Sequence, residues 1–285
     1  MSPRHIHSAV AALAVYLLGA EACLGQLSPA NVDGVSMGHL HYFVADVTAN
    51  RDFWVGLGGT ARPFAAGELV ELPGVLIVIS ERESSSEDSV LDHVAFRVQS
   101  LVAIESRGFD VEMVEGFPGI ASIYTPEGNR VELFEEGTAT NVGFDPVNEI
   151  DDPVAGRHNR PLVGPLASHH LHFYLPDDQV LAARNWYVEH FGAVAGMRWR
   201  YDAADLPGMN LNFSASESAR APTSGRSLDH IGFEIRDLEA FCRKLEEAGV
   251  AFDRPYERVG PTFAVAVLTD PWGVTLELTE GLAEF

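Results

Sequence analysis

Cysteine and lysine are nearly absent from this chain of 285 residues. Its two cysteines, Cys23 and Cys242, exclude a disulfide-stapled scaffold and any zinc site built on four thiolates. Lys244 is the one lysine, so the positive charge is almost entirely arginine. Positive charge is itself scarce: 19 Lys+Arg stand against 41 Asp+Glu, a formal net charge of −22. A surface that acidic repels phosphate backbones and excludes general nucleic-acid binding. No segment reaches the roughly 18 apolar residues that mark a spanning helix, so no stable membrane insertion of the mature chain is expected. A phosphate-cradling glycine loop and a Ser-His-Asp set are missing as well.

What is there is a globular balance, with 46% apolar and 9% aromatic residues. The length suggests about two domains. Residues 1–22 carry Arg4, an apolar run over Ala9–Ala20 and a small-x-small site at Ala20-Glu21-Ala22. They are expected to be a secretory signal, which makes the mature protein secreted or periplasmic. Cys23 follows that cut, but Glu21 argues against lipidation.

The remainder is a repeat. GHLHYFVAD (38–46) matches HHLHFYLPD (169–177), LDHVAFRV (91–98) matches LDHIGFEI (228–235), and TPEGNRVELFE (125–135) matches DPWGVTLELTE (270–280). The offsets are 131 between His39 and His170, 137 between His93 and His230, and 145 between Glu132 and Glu277. Order is kept while spacing drifts, as loop insertions produce. Helical segments with aromatic stripes, Phe53/Trp54 and Trp186/Tyr187/Phe191, follow the first motif of each half and are expected in the core. Each half reads strand, helix, strands, twice over, an α+β class with curved sheets covered by helices on one face.

Strands alternate faces with period two. Leu40, Tyr42 and Val44 share one face, and His39, His41 and Phe43 the other. Val94, Phe96 and Val98 lie opposite His93, Ala95 and Arg97, and Val131 and Leu133 lie opposite Arg130, Glu132 and Phe134. The second half repeats this with His170, His172 and Tyr174, with His230, Gly232 and Glu234, and with Thr275, Glu277 and Thr279. In each half, two imidazoles and a carboxylate from three strands face away from the helices. That is the donor set of a facial His₂-carboxylate metal site with open positions. Of the eleven histidines, six fall at matched strand positions.

These motifs resemble the vicinal oxygen chelate superfamily, which includes glyoxalase I, extradiol dioxygenases, and fosfomycin- and bleomycin-resistance proteins. The resemblance implies two glyoxalase-like domains, 37–136 and 167–283, joined by a linker over 137–166. Each domain would consist of paired βαβββ modules forming a cupped half-barrel. It selects His39 and His170 over His41 and His172 as first-strand ligands. The implied metal trios are His39, His93 and Glu132 in the first half and His170, His230 and Glu277 in the second. The cofactor is then a divalent ion (Fe, Mn, Zn or Ni), and Tyr174, Asn212 and Thr275 are the substrate-binding candidates. Two departures stand out. The strands GVLIVIS (74–80) and GMNLNFS (208–214) lack the fourth, carboxylate ligand of glyoxalase I. No histidine follows His230, where ring-cleaving dioxygenases place an acid/base.

The second half is the better-equipped site on this reading. The first, with Arg97 and Arg130, is a degenerate or anion-tolerant one. The expected activity is a metal-dependent lyase, isomerase or dioxygenase acting on a small oxygen-rich molecule. The alternative is a metal-independent binding or sequestering protein of the resistance type. Pairing of the halves within one chain makes the protein a monomer or a homodimer.

Overall fold

The computed structural model describes residues 27–137, 144–146 and 160–284. The expected signal segment 1–22, Cys23 and most of the 137–166 linker lie outside the described residues. Four modules follow one another. The first is β1 (Val35–Val44), α1 (Val47–Leu57), β2 (Thr60–Phe64), β3 (Gly67–Leu72) and β4 (Val75–Glu81). The second is β5 (Leu91–Val98), α2 (Leu101–Glu105), β6 (Glu112–Met113), β7 (Ile120–Tyr124) and β8 (Arg130–Glu135). After a short β9 (Phe144–Pro146), the third is β10 (Leu166–Leu175), α3 (Val180–Phe191), β11 (Val194–Arg198), β12 (Tyr201–Leu206) and β13 (Met209–Ala215). The fourth is β14 (Leu228–Ile235), α4 (Leu238–Glu247), β15 (Arg254–Arg258), β16 (Ala264–Thr269) and β17 (Thr275–Glu280).

Local chemistry sets these boundaries. Asp46 and Asp237 cap α1 and α4 by accepting from the backbone N–H groups of Ala49 and Ala240. Gly192 ends α3 in the left-handed conformation, at φ 65°. The aromatic stripes are core as expected: Trp54, Tyr187 and Phe191 are fully buried, and Phe53 and Trp186 pack against them.

The modules assemble crosswise. One sheet runs β15-β16-β17-β14-β1-β4-β3-β2, so the first module joins the fourth. The other runs β6-β7-β8-β5-β10-β13-β12-β11-β9, so the second joins the third. The seams are antiparallel, β1 against β14 and β10 against β5. The expectation of one cup per half is therefore corrected: each cup takes one module from each half. The reason is an edge. Every module leaves its first strand unpaired on one side, and those backbone groups need a partner. Strand alternation says which face is buried but is silent on which of several similar edges will pair.

The halves still cohere, through their helices. Trp54 of α1 lies 6.2 Å from Phe96 of β5, and Phe191 of α3 lies 5.1 Å from Phe233 of β14. One contiguous apolar core thus backs both sheets and leaves their opposite faces free as two cups. The polar loops between modules meet each other, with bridges from Ser85 to Arg226 and from Ser89 to Ala221.

Candidate metal centre

The register of each seam dictates what converges. In the second sheet, His170 of β10 pairs with Ala95 of β5, which pairs with Glu132 of β8. His172 pairs with His93. His170 and Glu132 therefore flank a small residue, with His93 beside them. The first sheet repeats the plan: His39 and Glu277 flank Gly232, and His41 pairs with His230. The closeness is such that a Cβ at Gly232 would sit 2.0 Å from the His39 ring.

The six implied ligands thus do form two trios, but with exchanged members. His93 Nε2 is 3.4 Å and His170 Nε2 is 3.7 Å from Glu132 Oε2. His39 Nε2 is 3.5 Å from Glu277 Oε1, and His230 Nε2 is 3.8 Å from Glu277 Oε2. The sets His39/His93/Glu132 and His170/His230/Glu277 are corrected to His170/His93/Glu132 and His39/His230/Glu277, because the seams join different halves. Two ligands of one ion at ~2.1 Å stand roughly 3.0–3.5 Å apart, close to these separations.

The buried chemistry favours a cation. His93 Nε2, His170 Nε2, His230 Nε2 and His39 Nδ1 are buried without a hydrogen-bond partner. Burial, reinforced by neighbouring imidazoles, holds His39 and His170 well below the usual histidine range, so both are neutral at pH 7. Burial also raises Glu277. Glu132 is lowered, because His93 and Arg130 outweigh its burial. The Asp of each Leu-Asp-His motif orients the imidazole that follows. Asp92 Oδ1 is 2.7 Å from His93 Nδ1, and Asp229 Oδ1 is 2.9 Å from His230 Nδ1. With Nδ1–H donated, Nε2 presents its lone pair to the trio.

His41 and His172, set aside by the resemblance, belong to the same clusters. Donor atoms of His39, His41 and His230 lie within 4.8 Å of one another, as do those of His93, His170 and His172. His41 Nε2 is 2.9 Å from Ser80 Oγ, and His172 Nε2 is 2.7 Å from Ser214 Oγ. Burial, first of all, takes His41 down to about 3.

The cups differ in their filling. Beside His39 and His41 in register stand Leu76 and Val78, and Leu69, Phe64, Leu27, Phe263 and Leu282 pack on them. Apolar side chains thereby line this side of the first cup, while the Glu277 side chain stays 24% exposed. Beside His170 and His172 stand Asn210 and Asn212, and here a cavity of about 530 Å³ opens over His93, His170, His172 and Glu132. Tyr174 and Asn212 line it. Asn212 Oδ1 is buried without a partner. Thr275 does not join them, since it sits on β17 beside His230 in the other cup.

Two contacts oppose a metal in the open cup. Arg130 Nη2 donates to Glu132 Oε1, and its Nη1 is 3.5 Å from Asp92 Oδ1. Arg198 Nη1 donates to His169 Nε2 at 2.7 Å, and His169 Nδ1 is 2.7 Å from His170 Nδ1. A guanidinium only donates, so the His169 proton is on Nδ1 and is given to His170 Nδ1. The remaining proton of neutral His170 then sits on Nε2, facing Glu132. Sequence reasoning missed this relay, although the His169-His170 doublet was its one visible sign. Arg97 pairs with Glu136 at 2.5 Å, and Glu234 is tied to Thr279 and Gly281, so both serve the fold.

The family model "Glyoxalase/Bleomycin resistance protein/Dioxygenase superfamily" matches residues 168–278. No curated protein sequence matches the chain. Among solved structures, glyoxalase I from Zea mays superposes with a TM-score of 0.60 at 15% identity, covering 88% of this chain and 94% of that one. A presumed dioxygenase from Bacillus subtilis gives 0.57 at 15% identity, covering 86% and 85%. At that identity the likeness is one of fold. No helix among the described residues is long and apolar enough to cross a membrane.

Proposed function

Because this chain belongs, through residues 168–278, to the Glyoxalase/Bleomycin resistance protein/Dioxygenase superfamily, we propose that it is an exported enzyme of the metal-dependent kind. It acts on a small oxygen-rich molecule bound in the second cup. The observation that carries this reading is the floor of the 530 Å³ cavity, where the unpartnered Nε2 atoms of His93 and His170 face Glu132. His93, His170 and Glu132 would hold a divalent ion, which would supply Lewis-acid polarisation of the substrate. The chain's own groups do the rest. Asn212 and Tyr174 orient the substrate from the β10–β13 wall. Asp92 holds the His93 proton on Nδ1. The first cup, with His39, His230 and Glu277, is a second ion site that supports the β1–β14 seam.

The Arg130–Glu132 ion pair and the Arg198–His169–His170 relay favour a second reading, a metal-independent binding cup. Elemental analysis of gently purified protein separates the two. The enzyme reading expects near-stoichiometric Fe, Mn, Zn or Ni for the second cup, lost in His93→Ala and Glu132→Ala. Full metal content in both variants, or none in the wild type, overturns it.

A further inference from the structure

We propose that the second cup selects small organic anions with a flat aromatic body, the anionic group being held by Arg198 at the end of β11 and Arg200 in the β11–β12 turn. The inference rests on the reading of this cup as a small-molecule site and names its ligand class. In a chain of net charge −22, the charged side chains lining this cavity among the described residues are three arginines (Arg130, Arg198, Arg200) and one carboxylate (Glu132), besides histidines. A positive hollow in an acidic protein concentrates anions there rather than elsewhere on the surface. Arg130 is occupied by Glu132 and Asp92. Arg200 has no carboxylate within ion-pair distance among the described residues, and its guanidinium is held instead over the Trp199 ring, 4.2 Å from the centroid. Arg198 is 3% exposed and reaches the same cavity from the wall, its Nε donating to Asn210 Oδ1 at 3.2 Å.

The mouth is aromatic. Trp199 meets Phe117 of the β6–β7 loop edge-on at 5.7 Å, and meets Tyr201 at 5.7 Å. All three line the cavity. Trp199 is half exposed and has φ 53°, a left-handed conformation at a tight turn where glycine is the usual occupant. The ring is thus kept at the cavity rim in a backbone conformation that costs a non-glycine residue. A cavity of ~150 Å³ accommodates benzene, so 530 Å³ holds an aromatic ring with its anionic group.

The test is calorimetric titration of the full chain with 2-naphthoate, its neutral isostere 2-naphthamide and the saturated anion cyclohexanecarboxylate. 2-Naphthoate is expected to bind about 10-fold or more tightly than 2-naphthamide, the scale of one hydrogen bond to a charged group, and more tightly than cyclohexanecarboxylate through ring contacts at the aromatic mouth. Its preference over the amide shrinks in Arg200→Gln and in about 0.5 M NaCl, where the Debye length is only a few Å. It vanishes in Arg198→Gln. Equal affinity for naphthoate and naphthamide overturns the proposal, and so does a preference unchanged in both arginine variants. Should Arg198→Gln fail to fold, the wild-type pair and the exposed-site variant Arg200→Gln still decide. Metal content measured on the same samples keeps the two failures apart. Metal-free protein that still prefers naphthoate sinks the metal centre alone. Metal-loaded protein that ignores the charge sinks this inference alone.

Discussion

Replacing Gly232 by alanine probes the crosswise seam through a single methyl group. An added Cβ would sit 2.0 Å from His39 Cε1 and Nδ1 and 2.7 Å from its Cγ. Ordinary contact begins near 3.4 Å, so the imidazole must retreat by well over an ångström. His39 is 1% exposed, on β1 between β14 and β4. Small-to-large changes in such packing cost about 1–3 kcal/mol. His39→Ala removes the obstacle. Denaturant unfolding of the two single variants and the double variant closes a cycle, with an expected coupling on the order of 1–2 kcal/mol for residues in direct contact. Because the two residues stand 193 positions apart, in different halves, only the β1–β14 seam can couple them. Gly232→Ala that is neutral, or strictly additive with His39→Ala, refutes the seam and with it the exchanged trios.

Further expectations can be checked separately. Asp92→Ala and Asp229→Ala remove the acceptor that fixes His93 and His230, and each is expected to weaken metal at its own cup by about 10–100-fold, measured by chelator competition. Loss at the opposite cup would contradict the assignment. Asp270, pushed up to about 6 by burial although Tyr187 Oη–H and backbone N–H groups donate to it, has a folded pKa above its usual value. Its protonated form is therefore the stabilised one. Stability from this group is complete below pH ~4 and is lost as pH rises through about 6, on the order of 3 kcal/mol in all. Asp270→Asn should flatten that segment of the stability-versus-pH curve, and an unchanged slope would sink the reasoning. Asn212→Leu, isosteric and without the unpartnered Oδ1, should leave stability within about 1 kcal/mol or raise it while weakening cavity ligands; ligand affinity equal to wild type removes Asn212 from the site.

Much of this was legible in the residues. Alternation in GHLHYFV and LDHVAFRV placed the histidines on the face opposite the apolar core, and the repeat placed Glu132 and Glu277 on the strand beside them. The α+β class followed from the same pattern, and the βαβββ modules from the resemblance those motifs carry. What stayed hidden was partnership. His39 and His170 carry identical local signals, so nothing along the chain says that His39 meets Glu277 rather than Glu132. How each cup is lined also depended on tertiary neighbours. Leu76 and Val78 against Asn210 and Asn212 hinted at it, but the apolar cap of Leu27, Phe64, Phe263 and Leu282 comes from distant segments. The Asp of Leu-Asp-His carries no signal of its role along the chain, because its bond to Nδ1 of the next histidine depends on side-chain conformation.

An anomalous-difference map from crystals grown with a divalent transition metal tests the central claim most directly. The account predicts one peak within about 2.0–2.3 Å of His39, His230 and Glu277, and another at that distance from His93, His170 and Glu132. A peak shared by His170, His230 and Glu277, or none at either trio, would contradict it.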